Sequence, residues 1–222
     1  MTTTTAKRAP QRSINKQTTI SAAGSRNPNA NEGCYAFVTD LGAIAVAWRG
    51  DVLTRISIGH PSEAAALASL SSGGGAVSQN PPEFVQELAI RLQSYAAGDT
   101  AVTFGDVPLD LAHLSPFQKK VVGRCRRIAA GGTCTYGKLA DLAGYPGAAR
   151  AVGSVMSRNR YPIVIPCHRV IGSAGSLGGF SAPQGISLKE RMLILEGAME
   201  NPATGSLKSG RSAPKPRLRK AK

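Results

Sequence analysis

The residues that could do chemistry are a cysteine, a histidine and an arginine inside an otherwise apolar segment. Cys167, His168 and Arg169 interrupt the β-branched run of residues 163–171, and Pro166 stands directly before them. Proline lacks a donor for a strand interior, and buried polar side chains cost desolvation unless they are satisfied. Nearby positive charge or a base favours the nucleophilic thiolate form of cysteine. The pattern therefore indicates a reactive cysteine, with a buried structural cysteine as the alternative.

Three predicted helices precede this run and must position it. Ser115, followed by a proline, can cap the first helix, which Gly131-Gly132 is expected to end. Thr135 can cap a second helix over residues 136–143, and a Gly-bearing turn leads to a third over residues 147–156. Two short helices joined by such a turn are typical of a helix-turn-helix unit.

The third predicted helix has one face made of small residues. Ala148 and Ala149 leave that face smooth, and Arg150 protrudes from it. Such a face fits close approach to a nucleic-acid groove. A helical hairpin without a role in DNA binding is the alternative.

Residues 31–112 are predicted to form a small α+β domain, in which nothing has the pattern of a catalytic residue. Cys34, His60 and His113 could supply zinc ligands, but their spacing matches no common zinc pattern and a structural zinc site needs four ligands, so no metal site is predicted. The predicted elements are strands over 35–39, 43–48 and 52–58, helices over 63–70 and 84–95, and short strands near 102–104 and 109–111. In the second of these strands, alternation places Ile44, Val46 and Trp48 on one face.

The charge of the chain is divided unevenly. Residues 31–113 carry nine acidic and three basic residues, whereas residues 114–200 carry twelve basic and four acidic residues. The tails at 1–30 and 201–222 add five and seven basic residues with no acid, are poor in large apolar side chains, and are predicted to be disordered. This asymmetry indicates a polyanionic partner for the second domain, predicted over 113–200, and for the tails.

Composition excludes several classes of protein. No apolar run approaches the length of a membrane span, and the first residues lack the apolar core of a secretory signal. The four cysteines are not paired in spacing, which favours a reducing compartment. We therefore expect a cytoplasmic protein, associated with the nucleoid in a bacterium or located in the nucleus of a eukaryote.

Taken together, these segments closely resemble the O6-alkylguanine-DNA alkyltransferase family over roughly residues 109–197, while residues 34–112 match it only loosely. The matching blocks are Ser115–Gln118, Thr135–Ala140, Ala148–Gly153, Asn159, Pro162–Val170 and Leu195–Gly197. The resemblance implies an α+β protein, with a ribonuclease H-like N-terminal domain before a winged helix-turn-helix-like catalytic domain. It also implies a suicidal reaction, in which a damaged guanine is flipped out of duplex DNA and its O6 alkyl group moves irreversibly to the protein.

The same resemblance implies a role for each matching residue. Cys167 would accept the alkyl group, His168 would act on it through a bridging water, Glu196 would orient the imidazole, and Tyr136 would donate to the guanine as it leaves. Arg150 would fill the gap left in the base stack. The other implied site residues are Asn159 as a brace, the Val170 carbonyl and Ser181 N–H on the guanine edge, and Pro162 and Met156 lining the pocket.

The family binds the minor groove, which suits a protein that reads damage rather than sequence. Ala148, Ala149 and Tyr136 would contact the DNA, and Arg126, Arg127 and Lys138 would contact phosphates. No cofactor is expected, and the protein is expected to act as a monomer.

Three departures from the family pattern affect the pocket. Arg160 replaces a usual proline, Phe180 and Ala182 replace a usual tyrosine and glycine, and the segment before the last predicted helix, 188–196, is about two residues longer. Because of these departures, the sequence does not decide how wide the pocket is, but none of them removes a reactive group. Two other functions stay open on the residues alone: a non-catalytic lesion-binding protein, which would lack the acceptor cysteine, and a cysteine hydrolase, which would leave the basic helix-turn-helix unexplained.

Overall fold

The computed structural model of the chain describes Met1, residues 32–70 and residues 75–201. The tails predicted at 1–30 and 201–222 lie outside the described residues except for their end positions, Met1 and Asn201. In the described part of the chain, no helix is both long enough and apolar enough to cross a membrane.

The first half is built on a four-stranded sheet with the order β3-β2-β1-β4. Its strands are β1 (Glu32–Phe37), β2 (Ala43–Arg49), β3 (Val52–His60) and β4 (Ala76–Val77). The first three are antiparallel neighbours, and β4 pairs parallel with β1. Val46 on β2 pairs with Tyr35 on β1 and with Ile56 on β3, and β1 begins three residues earlier and ends two residues earlier than the predicted strand.

The central strand β2 is buried on both faces. Ile44, Val46 and Trp48 point into the main core, whereas the intervening alanines face a second, smaller cluster. The small alanine side chains let helix α1 (Glu63–Ala68) pack on that face through Ala66. Successive residues of one strand thus serve two layers.

Helix α2 (Glu83–Ala96) covers the other face of the sheet. Val85, Leu88, Leu92 and Tyr95 recur at helical spacing and are all buried. Burying a side chain of this size stabilises the fold by about 1.5–3 kcal/mol. Tyr95 differs from the others because it carries a hydroxyl group into the core.

The second half is mainly helical. Its elements are α3 (Pro116–Cys125), β5 (Cys134–Thr135), α4 (Tyr136–Leu142), α5 (Ala149–Ser157), β6 (Val170–Ile171) and α6 (Ile186–Leu195), with 3-10 turns over Cys167–Arg169 and Ser173–Gly175. The predicted caps are present. Ser115 and Gln118 form a reciprocal capping box on α3, and the Thr135 hydroxyl accepts from the Lys138 N–H on α4.

Two predicted helix ends were wrong. Helix α3 ends at Cys125 rather than at Gly131, because the chain then turns tightly, with the Ile128 N–H donating to the Cys125 carbonyl at 3.0 Å. Helix α5 begins at Ala149 rather than at Gly147, which has a left-handed φ of 80°.

The remaining differences concern the segments that flank the core. Helix α6 begins at Ile186 after Gly185, so it starts before the predicted residue 188, and the Ser187 hydroxyl donates to the Gln184 carbonyl. Of the two short strands predicted between residues 102 and 111, the described chain has only a single bridge, between Leu53 and Leu109. Pro108 and the turns of this segment interrupt any longer ladder.

The two halves share one hydrophobic core. A single cluster contains Leu88 and Leu92 of the first half together with Val121 and Cys167 of the second. Backbone contacts also join the halves, since the Ile56 N–H donates to the Arg160 carbonyl at 2.8 Å. The segment around Cys167 is therefore held from both sides.

Candidate active site and nucleic-acid interface

Cys167 begins a short 3-10 turn at the floor of a cavity. The turn runs into β6, which pairs parallel with β5 and so ties the cysteine to the start of α4. Cys167 is 8 % exposed. Just before it, Ile163 has a left-handed φ of 71°. A β-branched residue in that region is strained by about 1–3 kcal/mol, and such strain concentrates at functional sites.

The Asn159 side chain holds this segment in place. Its Nδ2 donates to the Ile165 carbonyl at 2.8 Å, and its Oδ1 accepts from the Tyr161 N–H at 3.0 Å. One amide thus connects the end of α5 to both ends of the segment from Tyr161 to Ile165, which leads into Pro166 and Cys167. The role of Asn159 as a brace stays a prediction.

His168 and Glu196 form a buried pair beside the cysteine. The imidazole Nε2 lies 2.9 Å from Glu196 Oε1, and both side chains are fully buried. The Arg169 guanidinium also binds this carboxylate, with Nε 2.9 Å from Oε2 and Nη2 2.8 Å from Oε1. Consecutive residues of one turn therefore hold a glutamate that lies at the far end of α6.

The ionisation of this pair follows from its surroundings. Burial would raise the pKa of Glu196, but hydrogen bonds from His168, Arg169 and Tyr95 outweigh it and hold that pKa at about 2. Burial also lowers the pKa of His168, and the Glu196 charge only partly opposes this. The imidazole is thus neutral at physiological pH, with its Nε2 proton directed to the carboxylate. Its Nδ1 is buried and has no hydrogen-bond partner among the described residues.

The Cys167 thiol is protonated at rest. Burial raises its pKa, while the Asn159 side chain and the Lys189 charge partly offset the increase. Lys189 is itself buried on α6, where its Nζ donates to the Val170 carbonyl at 2.7 Å and to the Leu177 carbonyl at 2.5 Å. A protonated buried thiol needs a base to become a nucleophile, and the neutral imidazole of His168 is the neighbouring group with that property.

A cavity of about 810 Å³ opens above Cys167. Besides Cys167, five residues predicted for the site contribute to its lining, namely Tyr136, Met156, Asn159, Pro162 and Ser181. Tyr136 is the first residue of α4, and burial followed by the nearby Cys167 raises the pKa of its hydroxyl. A Cβ added at Gly178 would lie 3.3 Å from that hydroxyl oxygen, so the glycine leaves space around it.

Two predicted guanine contacts have other partners in the structure. The Val170 carbonyl accepts from Lys189 and does not line the cavity, and the Ser181 hydroxyl donates to the Ser157 carbonyl at 2.9 Å. The second lone pair of Val170 and the backbone N–H of Ser181 are not used by these bonds, so both predicted roles stay predictions.

The rim of the cavity is strongly basic. Arg55 on β3 lines it together with Arg158 and Arg160, and no carboxylate is among its lining residues. All three arginines are exposed, and none forms an ion pair within the described chain. The hydrogen bond between Ile56 and Arg160 holds the two segments next to each other. A rim of this kind attracts a polyanion.

Helices α4 and α5 pack against each other at the position where the helix-turn-helix unit is predicted. On α5, Val152, Val155 and Met156 are buried, whereas Arg150 is exposed on the opposite side, near the Ala148 cap. Ala149 is the first residue of α5. The small residues and the free guanidinium thus lie at the start of this helix, as the sequence predicts.

Among the predicted phosphate contacts, Arg126 differs from the other two. Arg127 and Lys138 are exposed, but Arg126 is partly buried, and its Nη2 donates to the Phe104 and Val107 carbonyls at 2.7 and 2.6 Å. In the described structure Arg126 joins the two halves of the molecule.

Tyr95 and Lys189 were not predicted as members of the site, and Arg169 was singled out beside Cys167 without its partner Glu196. Tyr95 had no distinguishing signal, because it continues the apolar stripe of α2. Lys189 had one, since a lysine on the buried side of the predicted last helix breaks its apolar pattern. Arg169 lies inside the run of residues 163–171, and nothing near it in the sequence indicates its carboxylate partner.

Comparison with known proteins identifies the family of the chain. Residues 116–198 match the family model described as 6-O-methylguanine DNA methyltransferase, DNA binding domain. A methylated-DNA–protein-cysteine methyltransferase of Mycobacterium leprae is 35% identical over 164 residues, which cover 73% of this chain and 91% of that protein. The chain belongs to the methylated-DNA–protein-cysteine methyltransferase family.

Further members of this family support the assignment. The Methanosarcina acetivorans methyltransferase is 41% identical over 116 residues, covering 52% of this chain and 71% of the relative. Among solved structures, Mycobacterium tuberculosis OGT in complex with DNA has a TM-score of 0.60 at 34% identity, covering 75% of this chain and 93% of that one. The methyltransferase family, the mixed α+β fold and the enzyme class expected from the sequence are thus confirmed.

Proposed function

We propose that this methyltransferase repairs DNA by moving the alkyl group of an O6-alkylguanine onto its own Cys167, once per molecule. The observation that carries the proposal is the placement of the Cys167 thiol at the floor of a cavity, next to a neutral histidine whose other nitrogen is held by a buried carboxylate. This combination supplies a nucleophile, its base and the group that orients the base.

In the proposed reaction, His168 Nδ1 takes the proton of the Cys167 thiol, through a bridging water. The sulfur then attacks the alkyl carbon, so that an S–C bond forms as the C–O6 bond breaks and its electron pair passes to the guanine. The Tyr136 hydroxyl donates a proton to the ring, and the proton of the thiol replaces it. The products are unmodified guanine and an alkylated cysteine, a thioether that no residue of the site can cleave.

The buried position of Cys167 requires the damaged base to leave the helix. A thiol that is 8 % exposed cannot reach a base inside the duplex, so we propose that the nucleotide flips into the cavity. Arg150 would fill the vacated space, and Ala148 and Ala149 would allow α5 to approach the minor groove. The basic rim, Arg127 and Lys138 would contact phosphates, whereas Arg126 is left out of this surface because its guanidinium binds two carbonyls.

We further propose that residues 31–112 form the ribonuclease H-like unit and residues 113–200 the winged helix-turn-helix unit, and that the protein acts as a monomer. The antiparallel sheet under α2 and the α4–α5 pair support this division. The remaining site roles, those of Asn159, Met156, Pro162, Val170 and Ser181, belong to the same proposal.

The variant Cys167→Ala tests the reaction directly. It should bind an O6-methylguanine duplex with nearly unchanged affinity but transfer no methyl group, as measured by gel shift and by transfer of a radiolabelled methyl. Cys125→Ala is the matched control, since Cys125 is also a buried free thiol and should keep transfer. Transfer that persists in Cys167→Ala would overturn the proposal. If Cys167→Ala and Cys125→Ala both bound the duplex tightly and neither transferred a methyl group, the protein would be a lesion-binding protein.

A further inference from the structure

A hydroxyl from the first half of the molecule reaches the buried pair of the second half. Tyr95 lies near the end of α2 and is 1 % exposed. Its hydroxyl donates to Glu196 Oε1 at 2.7 Å and lies 3.4 Å from His168 Nε2. The tyrosine is 73 residues from the histidine and 101 from the glutamate in the chain, so only the fold brings them together.

We propose that Tyr95 is a positioning residue for alkyl transfer, and that the first half of the chain thereby completes the catalytic centre. The inference rests on the proposed function, in which His168 is the base for Cys167. Tyr95 is not among the residues that line the cavity, and its hydroxyl binds Glu196, so it acts through that carboxylate.

The hydrogen bonds on Glu196 explain why this hydroxyl matters. Oε1 accepts from Tyr95, His168 and Arg169, and Oε2 accepts from Arg169. Arg169 thus binds both carboxylate oxygens, and Tyr95 and His168 share one of them, Oε1. Without Tyr95, that oxygen could rotate or admit water, and the imidazole would lose its fixed orientation.

Tyr95 acts only as a neutral donor. Burial, followed by the Glu196 charge, raises the pKa of its hydroxyl far above the usual range, so the group does not ionise at physiological pH. A neutral donor draws off part of the negative charge that the histidine would otherwise meet. Burial and the Arg169 and Lys189 charges lower the pKa of His168, and Tyr95 limits the opposing effect of the Glu196 carboxylate.

The ring of Tyr95 has a separate, structural part. It packs edge-to-face on Phe104 with 6.2 Å between ring centroids. Tyr95→Phe keeps this packing and removes only the hydroxyl, which makes it the informative variant. Tyr161→Phe is the matched control, because Tyr161 is also buried and its hydroxyl also crosses between the halves, but it donates to the Asp110 carbonyl instead of the carboxylate.

The experiment follows single-turnover transfer from free O6-benzylguanine as a function of pH, which avoids any effect on DNA binding. Tyr95→Phe should slow transfer about tenfold, a part of what general acid–base catalysis contributes. It should also move the acid limb of the pH profile to higher pH. Without the hydrogen bond from Tyr95, the Glu196 carboxylate stabilises the imidazolium more strongly and so raises the pKa of His168. Tyr161→Phe should leave that limb in place.

A double-mutant cycle separates positioning from mere stability. If Tyr95 acts through Glu196, adding Tyr95→Phe to Glu196→Gln should slow transfer less than twofold further, because the coupled partner is already lost. Equal fold losses in both backgrounds, or an unshifted acid limb, would overturn the proposal. Titration of the His168 ring by NMR compares the pKa of His168 between Tyr95→Phe and Tyr161→Phe and does not depend on activity. Failure of Cys167→Ala to block transfer would instead overturn the proposed function, so the two failures are distinguishable.

Discussion

The two halves of the molecule differ in how their charges and their chemistry are distributed. The second half is basic and contains the thiol, the imidazole, the carboxylate and the neighbouring helices α4 and α5. The first half is acidic, yet it supplies one hydroxyl to the buried pair and one arginine to the rim of the cavity. A region without a catalytic pattern in its sequence can therefore still hold part of a catalytic site, through single side chains that the fold carries to it.

The largest expected effect concerns the buried carboxylate that links the halves. The folded-state pKa of Glu196 is about 2, below the unfolded value of about 4.3. The contribution of Glu196 to the free energy of unfolding is therefore present above its unfolded-state pKa, and it is lost as the pH falls through its folded-state pKa. It amounts to roughly 3 kcal/mol. Glu196→Gln should remove this part of the decline in unfolding free energy between pH 5 and pH 2, measured by urea denaturation.

The exposed Glu87→Gln on α2 is the control for that measurement and should decline in acid as the unaltered protein does. If Glu196→Gln showed the same acid decline as the unaltered protein, the carboxylate would not be the ionised link between the halves.

A smaller effect separates duplex binding from chemistry within the second half. Arg150→Ala should slow transfer from an O6-methylguanine duplex roughly tenfold, because an unfilled gap makes flipping costlier, while transfer from free O6-benzylguanine stays within about twofold. Arg124→Ala, an exposed arginine on α3 outside the cavity, should affect neither substrate to this extent. Equal losses on both substrates would contradict the role of Arg150 in the base stack.

The smallest effect tests whether the first half contacts DNA at all. Arg55→Gln should reduce the slope of log affinity against log salt concentration by about 0.9, the value for one phosphate contact. Arg49→Gln is the matched control, because Arg49 is an exposed arginine of the same sheet that already pairs with Glu32. An unchanged slope in Arg55→Gln would confine the DNA surface to the second half.

The parts of this structure that the sequence predicted are those with local signals. The alternation of β2, the caps at Ser115 and Thr135, and the polar break at Cys167 each lie within a few residues of the chain. Local periodicity and side-chain chemistry decide such features, and the family resemblance added Glu196 to them.

The parts that it missed depend on distant contacts. Tyr95 occupies a core position of α2, and nothing near it in the sequence indicates a carboxylate partner 101 residues away. The basic stretch after Cys125 gave no sign that Arg126 would bind two carbonyls of the first half and leave the helix. Tertiary contacts override local propensity at both places.

The central claim is that Cys167 receives the alkyl group, and intact-protein mass spectrometry tests it most directly. After mixing with an excess of O6-methylguanine duplex, each molecule should gain the mass of one methyl group and no more, and peptide analysis should locate it on Cys167. An unchanged mass with a tightly bound duplex, or a methyl group on Cys125, Cys134 or Cys34, would contradict the account.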